Sequence, residues 1–202
     1  MKKQKLSKKS SISDIEKTLM DIAIKIAKQE KGCLFVIKKN SLSYEPLLHQ
    51  DVKPFPILEN QRRLETLALL DGACIIDEKG YLIAYAVQIK KTKTFIGFGT
   101  RHAAGYTASL NGNISILASE EDKKVRIFKN GKLVMQLDPF EKNIMSHTKE
   151  AVNVLESIGA GSIATIGTSI LAPTLGIMLV PGIIVFGSTY YLVKMLRKKR
   201  IP

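Results

Sequence analysis

The chain has 202 residues, 45% of them apolar, and a formal net charge of +13. That apolar share excludes a disordered polyelectrolyte, and the length allows one ordinary globular core with an appendage. Cys33 and Cys74 sit in apolar runs outside any Cys-x-x-Cys or Cys/His cluster, which argues against structural zinc and points to buried thiols in a reducing compartment.

Residues 1–12 form a basic arm with Lys2, Lys3, Lys5, Lys8 and Lys9. Ser13-Asp14-Ile15-Glu16 reads as a capping box, and Ile15, Leu19, Ile22 and Ile26 recur at helical spacing. The pattern predicts an amphipathic helix over 13–30, with Lys17, Lys25 and Lys28 outward and Gly32 as its stop. Cys33 to Ile37 predicts a short strand, and Asn60 to Leu70 a second helix with Leu64, Leu67 and Leu70 inward. A hairpin follows: Ala73 to Ile76, the turn Asp77-Glu78-Lys79-Gly80, and Tyr81 to Ile89.

The next stretch, GFGTRHAAGYTAS from Gly97 to Ser109, sets Thr100, Arg101 and His102 at a helix start behind Gly97 and Gly99, with small residues after them. Polar heads over a helix that must pack closely suit a bound anion. Ile114 to Ala118, Val125 to Phe128 and Lys132 to Leu137 predict strands, the last two joined through Asn130-Gly131. The Asn113-Ile114-Ser115 sequon reads as accidental, because nothing resembling a secretory signal precedes it. Phe140 to Glu156 predicts a closing helix. Residues 13–150 thus read as an α/β domain with a mixed central β-sheet flanked by helices, without internal repeats.

From Ser157 to Val193 no residue carries a formal charge, so residues 157–193 read as a membrane-embedded helical segment. Pro173 divides it into Ile158 to Ala172, which is marginal for a crossing, and Thr174 to Val193, near the roughly 20 residues a span needs. Lys194, Arg197, Lys198, Lys199 and Arg200 give residues 194–202 a cytoplasmic character under the positive-inside rule. With the α/β domain on the same side, a helical hairpin fits better than a single span. The small residues Ser157, Ala160, Gly161 and Ala164 favour close helix approach. The expectation is a membrane-associated protein touching lipid, its domain facing the cytoplasm. The lysine clusters lack interleaved aromatics and any nucleic-acid motif, so no nucleic-acid partner is expected.

Three polar points interrupt the apolar frame: Asp71-Gly72-Ala73 between a helix and a strand, Thr100-Arg101-His102 at a helix start, and Ser119-Glu120-Glu121 after a strand. Each has an ordinary turn explanation alone. Together they match a nucleotide site, since backbone N–H groups and Arg101 suit phosphate while Asp71 and Glu121 are hard oxygen ligands for Mg²⁺ or Mn²⁺.

The blocks Asp71-Gly72-Ala73 and Gly99-Thr100-Arg101-His102, in that order and followed by Ser119-Glu120-Glu121 and a strand hairpin, resemble the diadenylate cyclase domain over roughly residues 13 to 140. The early strand Gly32-Cys33-Leu34-Phe35-Val36-Ile37 fits the same pattern. The resemblance implies condensation of two ATP into cyclic di-AMP and two pyrophosphates across a face-to-face homodimer, with Mn²⁺ or Mg²⁺. It implies catalytic roles for Asp71, Arg101 and His102, and metal contacts from Asp71, His102 and Glu121. Gly72, Ala73, Gly99, Thr100, Arg101, His102, Ser119 and Glu120 would hold the nucleotide, with Leu82, Tyr85 and Ala86 framing adenine. Gly72 would let the nucleotide approach the backbone.

One position departs from the family's Arg-His-Arg. Ala103 stands where a second arginine is expected, and a lost charge-assisted contact costs roughly 1.5–3 kcal/mol of nucleotide binding. Lys90, Lys91 and Lys93 are candidates to replace it. Two rival readings are a catalytically silent nucleotide sensor, which Ala103 permits, and a membrane pore gated by the domain, which the uncharged apolar run argues against.

Overall fold

The computed structural model describes residues 11–90, 92, 99–159, 177–180 and 182–185. Helix α1 (Ile12–Lys28) starts two residues upstream of the expected box: Asp14 N donates to Ser11 Oγ at 3.1 Å, and Ser11 N to the Asp14 carboxylate at 3.4 Å. Glu16 does not serve in a cap, because its side chain is buried. Ile15, Leu19, Ile22 and Ile26 are buried as their spacing predicts. Met20, Ala23, Ile24 and Ala27 are buried too, so α1 is covered on more than one side. The helix caps at Gln29 and Glu30 takes φ 58°, so the stop comes before Gly32.

Strand β1 (Cys33–Lys38) is followed by β2 (Tyr44–Pro46) and β3 (Phe55–Pro56), two short strands without enough alternation to be read from sequence. Then come α2 (Gln61–Ala68) and the hairpin β4 (Ala73–Asp77) and β5 (Tyr81–Ile89). Asp77 closes the hairpin turn, its Oδ1 accepting from Lys79 N and Tyr81 N at 3.0 and 2.8 Å. Helix α3 (Thr100–Ser109) leads to β6 (Ile114–Ala118), β7 (Val125–Lys129) and β8 (Lys132–Leu137), and then α4 (Ile144–Gly159). Of the α2 leucines, Leu64 is buried, but the helix ends at Ala68 and leaves Leu70 exposed, against expectation.

The sheet runs β2-β5-β4-β1-β6-β7-β8 and onward, with β3 on β5. β1 and β4 are parallel, joined by a crossover through α2, and β1 and β6 are antiparallel. This is the mixed α/β architecture expected. Alternation along β1 sends Cys33, Phe35 and Ile37 to the face covered by α1, α2 and α4, and Leu34 and Val36 to the face covered by α3. Both cysteines are free and buried, and burial pushes the Cys74 thiol up to about 12.

The stretch expected as a membrane helix departs from that reading at Ile177–Val180 and Ile183–Val185. Strands β9 (Ile177–Val180) and β10 (Ile183–Val185) continue the sheet, β10 antiparallel to β8 with Ile183 opposite Leu137. Ile183 is fully buried in the core, and Asp138 N donates to Gly182 O at 2.7 Å. Short β-branched runs on either side of Pro181-Gly182, with Gly182 at φ 85°, suit a hairpin better than a helix. Among the described residues no helix is long and apolar enough to cross a membrane. The rest of 160–193 lies outside them.

Candidate active site

Strand register brings the three polar points together. Ala73 sits beside Leu34 in the parallel pair β4–β1, and Cys33 beside Ala118 in the antiparallel pair β1–β6. Two residues back along β4, one back along β1 and one past the end of β6 therefore place Asp71, Gly32 and Ser119 at one end of three adjacent strands. The N-terminus of α3 closes the same end. Asp71, Gly99, Thr100, Arg101, His102, Ser119, Glu120 and Glu121 line a cleft there of about 440 Å³.

Arg101 is the centre of this cleft. Its Nη1 lies 3.3 Å from Glu120 Oε2 and its Nη2 3.5 Å from Asp71 Oδ1. The guanidinium has room because position 32 is glycine: a Cβ there would stand 2.5 Å from Arg101 Nη1. Asp71 stays 87% exposed, so its carboxylate is available to a ligand. Gly99 leads into α3 with no side-chain cap, and the first turn of the helix carries no acid, so the positive end of the helix dipole lies at the cleft. The small residues of α3 are explained by packing: Gly105 lies against Leu34 and Phe128 across the sheet, one turn beyond the inward-facing His102.

His102 is buried, and its Nε2 lies 2.9 Å from Arg126 Nη1. Burial and then the Arg126 charge push its pKa below the usual histidine range, against the pull of Asp122 and Glu121, so the ring is neutral near pH 7. Arg126 Nη1 also donates to Asp122 Oδ1 at 3.0 Å, and its Nη2 donates to Asp122 Oδ2. Burial alone would raise the Asp122 carboxyl, but hydrogen bonds from Arg126 and Ser119 overcome it and hold the group down to about 2. Neither Arg126 nor Asp122 was singled out from sequence. The available signal was an arginine at an inward position of an apolar strand, a placement that requires a partner.

Other expected residues are placed elsewhere. Gly72 takes φ 95°, and its missing Cβ would meet Val87 O at 2.7 Å and Val87 N at 2.8 Å, so its bareness serves the packing of β4 on β5. Ala73 is buried in the sheet beside Leu34. Leu82 is buried opposite Phe55. Tyr85 donates its hydroxyl to His49 O and accepts from Asp51 N, both at 3.1 Å, and Ala86 is buried at φ 45° beside it. None of Leu82, Tyr85 and Ala86 lines the cleft. Lys90 is engaged with Glu45 at 2.6 Å, while Gly97, Lys91 and Lys93 lie outside the described residues. The guanidinium beside His102 comes from Arg126.

The donor set suits a divalent cation accompanied by phosphate. Asp71, Glu120 and Glu121 outnumber Arg101 in the cleft, and hard carboxylate oxygens match Mg²⁺ or Mn²⁺. Among the described residues no group of three His, Cys, Asp or Glu could hold a metal alone. With Nε2 facing Arg126, His102 is a poor metal ligand, and the fit rests on Asp71 and Glu121.

A family model described as "DisA bacterial checkpoint controller nucleotide-binding" (DAC) matches residues 20–133, more than half of the chain. The chain belongs to the DAC family. The chain is 28% identical over 139 residues to a diadenylate cyclase of Haloferax volcanii, covering 60% of this chain and 51% of that protein. It is 35% identical over 80 residues to a diadenylate cyclase of Methanocaldococcus jannaschii, covering 38% of this chain and 26% of that protein. The chain thus spans about half the length of the first relative and about a quarter of the second. A double mutant of DacA from Staphylococcus aureus is similar at 19% identity and a TM-score of 0.48, over 70% of this chain and 93% of that one. The matched DAC region contains Asp71, Arg101, His102, Ser119 and Arg126.

Proposed function

We propose that this DAC domain is a diadenylate cyclase, joining two ATP molecules into cyclic di-AMP with release of two pyrophosphates. The observation that carries the reading is the convergence of Asp71, Thr100, Arg101 and Ser119 on one open cleft beside an uncapped helix start. Family membership and the names of the two archaeal relatives support it.

Each domain would hold one ATP, and the 3′-oxygen of each nucleotide would attack the α-phosphorus of the other. Two phosphodiester bonds form and two pyrophosphates leave, while the hydroxyl protons pass to solvent. Such transfer depends on alignment and on neutralising phosphate charge. Arg101 would exchange its contacts with Glu120 and Asp71 for phosphate oxygens, with the α3 N–H groups beside it. Asp71 and Glu121 would hold Mg²⁺ or Mn²⁺, which when bound would neutralise phosphate charge. Asp71, exposed at the cleft mouth, would orient the attacking hydroxyl. A cleft of this size holds one nucleotide, so ring closure would use a second copy facing the first.

The same reading places the domain at an anionic lipid surface through Lys194, Arg197, Lys198, Lys199 and Arg200, which flotation of the full chain with anionic vesicles tests. The central test is incubation of the 202-residue chain with ATP and Mn²⁺ and mass detection of cyclic di-AMP. Asp71→Asn should abolish product while moving stability by no more than about 0.5 kcal/mol, since the side chain is exposed. Unaltered turnover in that variant would refute the assignment. A binding-only sensor is favoured by one observation, Ala103 in place of an arginine, and predicts ATP binding without product.

A further inference from the structure

Arg126 is a buried cation flanked by the buried apolar residues Val125, Ile127 and Phe128 of β7. β7 sends Val125 and Ile127 toward the α1 face, so Arg126 and Phe128 point to the α3 face. A guanidinium on that face carries a desolvation cost that only close partners offset. Asp122 is one, bound at both guanidinium ends, and His102 Nε2 at 2.9 Å is another. A guanidinium offers donors only and stays protonated. At that distance Nε2 therefore accepts, and in the neutral ring the proton sits on Nδ1.

The ring is fixed from the other direction as well. His102 lies on the inward face of α3 one turn before Gly105, which rests on Leu34 and Phe128, so the helix cannot back away from β7 without unpacking that face. Among the described residues, Arg126 from β7, Asp122 from the β6–β7 loop and Glu121 beside it act on the ring.

We infer that Arg126, gripped by Asp122, is a positioning residue that locks His102 in the Nδ1-protonated tautomer and in one orientation at the cleft. The nitrogen not facing Arg126 then carries an N–H, chemistry that suits an anionic phosphate oxygen and not a metal cation. The consequence for ligand binding rests on the nucleotide reading of the cleft, whereas the tautomer belongs to the chain without ligand.

The test is ¹⁵N spectroscopy of the full chain with labelled histidine, free of nucleotide and metal, at pH 7. The chain has 3 histidines, and His102→Gln identifies the relevant signals. In the wild type, Nε2 of His102 is expected to be unprotonated and Nδ1 protonated. Arg126→Met should shift the ring toward the Nε2-protonated form, and Asp122→Asn should shift it less. ATP affinity should fall about tenfold in Arg126→Met and no further when His102→Gln is added. A wild-type ring protonated on Nε2, or ring signals unchanged by Arg126→Met, overturns the inference. Should Arg126→Met fail to fold, Asp122→Asn decides in the same way, because it loosens the grip while keeping the arginine. Absence of ATP binding by the wild type sinks the nucleotide reading, and the ring spectra still decide this one.

Discussion

Replacing Gly32 with alanine separates the stability of the fold from the placement of Arg101. The new Cβ would stand 2.5 Å from Arg101 Nη1 and 3.3 Å from both Arg101 Cζ and Ala118 O. The Ala118 carbonyl belongs to a paired central strand and cannot yield, so the guanidinium must withdraw by about 1 Å to regain an ordinary contact near 3.5 Å. That movement disrupts contacts to Glu120 at 3.3 Å and Asp71 at 3.5 Å. These are exposed pairs, worth at most about 1 kcal/mol to folding, so the melting temperature should drop by only a few degrees. Misplacing a guanidinium that meets phosphate costs roughly 1.5–3 kcal/mol, or about ten- to a hundredfold in affinity. Thermal unfolding and calorimetric titration with ATP on the same preparation read both quantities. Affinity within twofold of wild type would refute the reasoning, as would an equal loss from Gly32→Ala in an Arg101→Ala background.

Gly72→Ala should act on the fold, because φ 95° and the 2.7 Å approach of Val87 O leave a methyl no place; a loss of about 2 kcal/mol or more in urea unfolding is expected, and wild-type stability would contradict it. The buried Glu16 carboxyl is raised from 4.5 to about 7 by burial, with Lys39 and Lys129 opposing and Glu156 adding to the rise. The folded chain keeps this proton where the unfolded chain has lost it, so stability falls as pH rises from about 4.5 to 7. Glu16→Gln should remove that slope and stabilise the chain at pH 8 by up to about 3 kcal/mol; a variant effect equal at pH 5 and pH 8 counts against it. Asp122, held down to about 2, contributes stability above its ordinary 3.8 that disappears as pH falls toward 2. Asp122→Asn should blunt that acid transition in circular dichroism, and an unchanged acid midpoint would speak against the Arg126 pairing.

Much of the domain was legible because its elements are long or sharply punctuated. α1, β5 and the Asp77 turn carry strong periodicity or turn chemistry, and the structure has them within a few residues of the sequence reading. β2 and β3 were missed because two or three residues show no alternation. The cleft's membership was visible as three polar interruptions, but their convergence depends on the β4–β1–β6 register, which no local pattern encodes. Arg126 was passed over for the same reason, since its partner His102 is 24 positions away. Within the uncharged run after Ser157, Ile177–Val180 and Ile183–Val185 are strands where a helix is expected, because hydropathy alone does not separate a lipid-facing helix from the apolar strands of a sheet.

The β9–β10 hairpin bears on how the protein should be handled. Cutting the chain after α4, the obvious way to discard a greasy tail, would strip β8 of its outer neighbour and withdraw Ile183 from the core. The bared β8 would present unpaired N–H and C=O groups to other copies, inviting self-association. The trimmed protein should therefore be less soluble than its parent, and a cut beyond Val185 is the safer one.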